Sequence, residues 1–429
     1  MTMRGLLLLV LAAATACDRA RTLRVTELDA PTFLSRGAGD AALSRDPESG
    51  DLFLAWVAGD SAGRHVYFAR SSDEGARWSS PTQVTDSSGD VGAPHGEAAP
   101  RIVAGGQSRI AVVWSRSMPV PGRKWPASAV RFARSLDGGA RWSEALTLND
   151  DSAGAPATHT FHGATWTGDG GLVVAWLDER GSDEVSGHHH AAAAPGADPA
   201  TMPATESDAR IYMAASGNFG ESWEPNRKVW GAVCPCCRVA LARSPSGGVV
   251  TAWRQHLPEN VRDVVTATLL PAAADPRRVH ADDWQYPGCP HTGPALAVDS
   301  AGVRHVAWYT GKPNGAGVYY ARVDSAGRPL GAAVPLVTAA TVQTAHPSAI
   351  ALGDGGALVA MDVGEDGLRA IRLVRIGADG QVVAATTVAG STGGTYPQVV
   401  RAGQSAALVA WTTHNEVSSS VRLARVALD

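Results

Sequence analysis

Within Val233-Cys-Pro-Cys-Cys-Arg238, three sulfurs fall in four residues, and Gly288-Cys-Pro-His-Thr292 adds a fourth beside an imidazole. Thiolate and neutral imidazole are strong ligands for copper and zinc, thiolate favouring Cu(I) and Zn(II). Cys234, Cys236, Cys237 and Cys289, with His159, His162, His291 and His346, are therefore candidate ligands of a mixed sulfur–nitrogen metal site. The spacing matches no standard structural zinc motif. In an oxidising compartment the same cysteines have a second reading as disulfides, with one of the adjacent Cys236 and Cys237 pairing to Cys289. A third reading leaves them as free, buried thiols. The sequence keeps all three open.

Charged groups stand near these ligands. Arg254, Glu259, Arg262 and Asp263 crowd one short stretch, and Arg101, Asp178, Arg180 and Arg238 occupy equivalent ones. Guanidinium groups in such company either clamp an anionic ligand or pair with the neighbouring carboxylates. His188–His190 lie in an Ala/Pro/Gly-rich insertion running to Asp208, read as a solvated loop, a flap or a metal-catching tract.

The elements that must bring these residues together are read from an internal repeat. Leu52–Trp56 recurs as Ile110–Trp114, Leu172–Trp176, Val249–Trp253, Val303–Trp308, Ala357–Met361 and Ala407–Trp411. The spacing of roughly 50 to 75 residues is that of a propeller blade with variable loops. Each copy follows a short apolar strand with a Gly-rich turn and precedes an alternating strand such as Val66–Arg70 or Val130–Arg134. The first two strands are almost continuously apolar, as strands buried on both faces are. One unit cannot bury both faces of its sheet, so the units must stack, and a ring leaves no open end. The expected fold is all-β: a propeller of seven four-stranded blades, with six plus an irregular unit as the alternative. The last unit lacks a fourth strand, and Leu23–Leu28 is a strand without a unit, so the N-terminal strand is expected to close the ring.

Three turns between third and fourth strands read Ser-x-Asp-x-Gly-x-x-Trp. They run from Ser71 through Asp73 and Gly75 to Trp78, and from Ser135 through Asp137 and Gly139 to Trp142. The third runs from Ser216 through Asn218 and Gly220 to Trp223, with Asn in place of Asp. This motif resembles the Asp-box, or BNR repeat, of the sialidase-like propellers, a superfamily of sialidases, other glycoside hydrolases and non-catalytic relatives. The motif itself reads as architecture: Ser and Asp bond nearby amides, Gly permits positive φ, and Trp packs between sheets. It is expected on the face opposite the ligand site. For sialidases the resemblance implies an arginine triad, a tyrosine nucleophile helped by Glu, an acid/base Asp, and an Arg-Ile-Pro segment in the first blade. Here that strand reads Ala41-Ala-Leu-Ser-Arg45, no arginine spacing marks a triad, and neither Tyr286 nor Tyr396 pairs with a chosen Glu. The Cys-Pro-Cys-Cys segment, the Arg-Asp strand after it and Gly-Cys-Pro-x-x-Gly-Pro together resemble a subset of bacterial sialidase-like proteins.

In a propeller, loops leading into the first strand and loops leaving the second open on one face. By that assignment ten of the 13 histidines, and every cysteine after Cys17, share a face. A ring turns residues distant in sequence into neighbours there.

Composition sets the outer bounds. With 45% hydrophobic and 18% charged residues the 429-residue chain can fill a large core, and a net charge of −4 without basic runs excludes nucleic acid as the expected partner. Arg4, the apolar run Leu6–Leu11 and Ala14-Thr15-Ala16-Cys17 read as an export signal over residues 1–17. The last four resemble a lipobox without its usual Leu, making Cys17 the expected lipidation site. Residues 22–429 form one propeller domain, expected as a monomer, periplasmic or anchored at the outer membrane through the lipid alone. Three functions follow as expectations: binding of a small ligand or of copper or zinc at the Cys/His face, exo-acting glycoside hydrolysis of the exo-α-sialidase type, or an envelope interaction scaffold.

Overall fold

The structure, a computed structural model, describes residues 22–428 apart from 61–62, 87–90, 93–94, 123–125, 152–155, 182–208, 339–344, 366–367 and 415–417. The export signal, Cys17 and His188–His190 lie outside the described residues. No helix among the described residues is long and apolar enough to cross a membrane.

Seven antiparallel four-stranded sheets form the ring. Their innermost strands are Gly39–Arg45, Arg101–Ala104, His159–Trp166, Ala240–Arg243, Ala295–Val298, Ser348–Ala351 and Gly394–Arg401. Blades one to six are each continuous in sequence. Blade seven contributes three strands of its own, and Val25–Leu28 supplies the fourth by pairing antiparallel with Ser419–Ala427, Val25 opposite Val426. The N-terminal strand thus closes the ring.

The repeated apolar segment is the second strand of each blade, and its terminal aromatic fills the seam to the preceding blade. Trp114 packs with Val57 and Phe68 of blade one, Trp176 with Val113 of blade two, and Trp253 with Leu177 of blade three. Around the ring Trp56, Trp114, Trp176, Trp253, Trp308, Met361 and Trp411 are all at most 1% exposed. Burying such a side chain stabilises by about 1.5–3 kcal/mol, so these seven residues account for much of the adhesion between blades. Met361 takes the position in blade six, where an unbranched thioether fits the narrower gap beside Ala307 and Tyr320.

The Asp-boxes tie the turn and dock it on a neighbour. Ser71 Oγ accepts from the Gly75 amide at 2.9 Å, and the Asp73 carboxylate accepts from the Arg77 amide and side chain, each at 2.8 Å. Blade two repeats this with Ser135, Asp137, Gly139 and Arg141. In blade three Asn218 Oδ1 accepts from the Ser222 amide at 2.9 Å while its Nδ2 donates to the Ser222 hydroxyl. An amide suits a serine partner where the carboxylates of the other boxes face arginine. Gly139 and Gly220 have φ of 91° and 80°, and a Cβ would stand 2.0 Å from Phe68 and 2.2 Å from Phe132 of the preceding blades. Arg70, just before the first box, pairs with Asp51 in the turn between the first two strands, so the boxes lie at the end opposite the cysteines. A fourth turn of this kind was not legible in the sequence: Asp324 accepts from the Arg328 amide at 2.8 Å and its side chain at 2.7 Å, without the Ser or Trp of the motif.

Candidate functional site

The sulfurs come from the connection between the outermost strand of blade three, Arg227–Trp230, and the innermost of blade four, Ala240–Arg243. Val233 bridges to Gln255, and the Cys234 amide donates to the Arg254 carbonyl at 2.9 Å, fixing the connection to the end of blade four's second strand. Its far end is fixed by the Val239 amide, which donates to the Phe161 carbonyl at 3.0 Å. Pro235, without an N–H, turns the chain between these anchors. The result is a compact group: Cys234 Sγ lies 3.8 Å from Cys236 Sγ and 3.6 Å from Cys237 Sγ, and none of the three is more than 1% exposed. Their ligand atoms all lie within 4.8 Å of one another. Half-buried Cys289, from the blade four to five connection, sets its thiol against that of Cys236. None of the four is disulfide-bonded, so the pairing of Cys236 or Cys237 with Cys289 expected as one reading is not formed.

The surroundings polarise the group. Burial alone raises the Cys234 thiol, but hydrogen bonds from Cys236 and Cys237 and the charges of Arg262 and Arg254 outweigh it and draw Cys234 well below the ordinary cysteine value. Burial and the neighbouring Cys234 push Cys236 and Cys237 well above it. Of the three, Cys234 is the sulfur whose surroundings favour the thiolate. Arg254 is fully spent on the backbone: it donates to the carbonyls of Thr292, Arg262 and Tyr309, the last at 2.7 Å. Arg262 donates to the Tyr286 carbonyl at 3.0 Å, but its Nη1 is buried without a hydrogen-bond partner. A buried guanidinium beside sulfur calls for anionic charge there.

Nearer the axis, Glu97 joins three blades. Its carboxylate, 0% exposed, accepts from the amides of Arg238 at 3.0 Å and Gly293 at 2.7 Å and pairs with the Arg238 guanidinium, which also donates to the Pro347 carbonyl. Burial raises the Glu97 pKa, but Arg238, His346 and the two amides outweigh it and keep the group ionised. Gly293 is required at this junction, because a Cβ would stand 2.5 Å from Arg238 Cγ. Arg101 lies beside Arg238, and the two line a cavity with Gly163, Val239 and Gln398. His346 is held by Asp362, 2.8 Å from Nδ1, donates from Nε2 to the His291 carbonyl at 3.0 Å, and lies 3.9 Å from the Tyr396 ring. Burial and the charges of Glu97 and Asp362 push the Tyr396 hydroxyl pKa up.

The ring therefore gathers Cys234, Cys236, Cys237, Cys289, His291, His346, Glu97 and Arg238 on one face, as ring closure requires. Other expected site residues serve the framework. His159 and His162 are not on a loop but within the innermost strand of blade three, His159 paired opposite Asp178 and His162 on the bulge between Thr160 and Gly163. His159 is held between Asp178 at 2.9 Å and Asp151 at 3.1 Å. His162 bonds the Val113 carbonyl, and burial, with Arg101 nearby, lowers its pKa to about 3. Neither ring joins the sulfurs: His162 turns towards blade two and His159 towards the blade's own second strand. Arg180 forks onto Asp178 and Asp150 and lies 4.3 Å from the Tyr212 ring centre. Asp263 accepts from Arg278 at 3.0 Å and from the Asp283 and Trp284 amides. Of the expected clamp of Arg254, Glu259, Arg262 and Asp263, Arg254 is spent on backbone carbonyls and Asp263 on blade four's last strand, while Arg262 gives its Nε to a carbonyl and keeps Nη1 beside the sulfurs. The junction through Glu97 and the role of Asp362 were missed: Glu97 lies in the short turn Gly96–Ala98 and Asp362 inside the strand Ala357–Glu365, and residue type alone marks neither as a partner of Arg238 or His346.

No family model matches the chain, and no curated protein matches it. Among solved structures, the BP39L lectin from Burkholderia pseudomallei superimposes with a TM-score of 0.57 at 14% identity, over 92% of this chain and 97% of the lectin. The α-L-arabinofuranosidase Arb93A from Fusarium graminearum gives 0.50 at 11%, over 95% and 98%. A Hadza microbial sialidase, Hz136, gives 0.48 at 14%, over 92% of this chain and 65% of that one. At such identities likeness extends to architecture and stops short of chemistry. By its Asp-boxes, its seven four-stranded blades and its N-terminal closing strand, the chain has the sialidase-like β-propeller fold.

Proposed function

We propose that this protein binds a thiophilic metal ion, Cu(I) or Zn(II), through Cys234, Cys236 and Cys237. The observation that carries this reading is the sulfur spacing. Thiolates around a tetrahedral ion at a metal–sulfur distance of about 2.3 Å stand about 3.8 Å apart, and the measured separations are 3.8 and 3.6 Å. The unpartnered Arg262 Nη1 and the charge of Arg254 supply positive charge to a site that becomes more anionic as thiols ionise on binding. Export and attachment through Cys17 belong to the same proposal, placing the site outside the cytoplasm. Metal analysis of protein prepared without chelators is expected to give one Cu or Zn per chain, lost in a Cys234→Ser/Cys236→Ser/Cys237→Ser variant. Metal-free wild-type protein that takes up neither ion would sink the reading.

Exo-acting glycoside hydrolysis is the second reading, favoured by the meeting of Arg101 and Arg238 in the axial cavity near Glu97 and Tyr396. Against it, Arg238 is neutralised by Glu97, and the rise in the Tyr396 pKa disfavours a phenolate nucleophile. Hydrolysis of an aryl sialoside or arabinofuranoside, abolished by Arg101→Ala, would favour this reading over the first.

A further inference from the structure

Resting on the metal reading above, we infer that His95, His291 and Cys289 form a delivery path that takes Cu(I) from solvent on the ligand face and passes it to the buried sulfur group. The imidazoles of His95, before blade two, and His291, before blade five, meet across the axis with ring centres 5.3 Å apart and planes at 46°. Two imidazoles sharing one ion at a metal–nitrogen distance of about 2.0 Å have ring centres about 5 Å apart, so the pair is already near the separation that a shared ion demands. Each is held from behind. The His95 amide donates to Asp40 at 3.0 Å, and the His291 carbonyl accepts from His346 at 3.0 Å. His291 has a φ of 48°, a left-handed conformation that ties the direction of its side chain to this turn. Phe161 lies 5.4 Å from the His95 ring and 6.4 Å from the His291 ring and belongs to the apolar cluster that encloses the cysteines.

Accessibility falls along the path. His95, His291 and Cys289 are all half-buried, whereas Cys234, Cys236 and Cys237 are at most 1% exposed. Cys289 stands two residues from His291 and touches Cys236, so it belongs to both groups. Nitrogen ligands give way to sulfur in the direction that Cu(I) prefers. The transfer is ligand exchange without change of oxidation state: copper leaves imidazole as Cu(I), Cys289 binds it and releases a proton to solvent, and Cys236 then displaces Cys289, the Cys236 proton passing to the departing Cys289 thiolate. No sulfur in the buried group has to reach solvent.

The test is the rate of Cu(I) transfer from its bathocuproine disulfonate complex to reduced protein, followed by loss of the complex's colour. His95→Phe keeps the aromatic packing and His291→Asn tolerates the left-handed backbone, so both variants remove a ligand and spare the fold. Each, like Cys289→Ser, is expected to reach the wild-type copper stoichiometry but roughly tenfold more slowly, the scale on which supporting residues act on metal sites. Wild-type rates in all three variants would overturn the path while leaving the sulfur site intact. Loss of stoichiometry in the histidine variants would also overturn it, by making the imidazoles resting ligands. Wild-type protein that takes no copper would remove the metal reading itself, and the path with it.

Discussion

Glu97 and Arg238, 141 residues apart in sequence, form a buried ion pair at the centre of the ligand face, and the same carboxylate accepts from the Arg238 and Gly293 amides. The second, fourth and fifth blades meet on this one side chain. Removing the charge leaves Arg238 buried without an anion, a loss of about 3–5 kcal/mol. Glu97→Gln is expected to lower the urea midpoint accordingly, with part of the loss recovered in Glu97→Gln/Arg238→Met. A midpoint unchanged in the single variant would show that the pair does not hold the blades.

Arg262 lowers the pKa of Cys234 through space. In metal-free, reduced protein, Arg262→Met is therefore expected to move the first thiolate titration to higher pH, read from ultraviolet thiolate absorbance. Arg254→Met would do the same but would also strip hydrogen bonds from three carbonyls, so only the Arg262 variant separates charge from folding.

His162 gives the propeller an acid limit. Its folded value of about 3 lies below the ordinary histidine value of about 6.5, so the unfolded chain takes a proton that the folded chain refuses. Its contribution is complete above about 6.5 and is lost as pH falls towards 3, roughly 4–5 kcal/mol over that window. Asp40 acts in the opposite sense: burial raises it to about 6, so the folded chain holds an extra proton between its ordinary value and 6, and stability falls as pH rises through that range. Urea titrations from pH 4 to 7 should therefore show a shallower rise with pH in His162→Gln than in the wild type. Parallel curves would contradict the assignment.

The Asp-boxes divide into replaceable and irreplaceable positions. Gly220→Ala puts a Cβ against Phe132 at positive φ and is expected to cost about 2–3 kcal/mol in thermal or urea unfolding. Asn218→Asp keeps the acceptor that ties the turn and is expected to stay within about 0.5 kcal/mol of the wild type.

The blade count, ring closure and sharing of one face by sulfur and imidazole were legible because they follow from periodicity: a repeated strand pair fixes where every loop must emerge. The partners of individual side chains were not. His159 and His162 stand where a loop was expected, yet the strand already begins at His159 and a bulge holds His162 within it, and bulges have no reliable sequence signature. Arg254 and Asp263 read as ligand contacts because charge at a strand end does so, but backbone carbonyls and amides consumed them, and such acceptors are invisible in a string of residue types. The sulfur cluster was the reverse case. Three cysteines in four residues cannot separate far, so their proximity survives any loop conformation, and only the fourth, Cys289, needed the fold to bring it in.

The pairing of Val25–Leu28 with Ser419–Ala427 sets the order of assembly. The early strand Val25–Leu28 has its partner in the late strand Ser419–Ala427, so during synthesis one sheet stays incomplete while six others can already hydrogen-bond internally. Closing so long a loop is entropically unfavourable until those six have stacked and brought the ends together. Until then two bare strand edges face outward, open to pairing with other chains. Folding therefore passes through an open arc, and the face that gathers the cysteines and histidines, whose groups come from several blades, is complete only after the arc has shut.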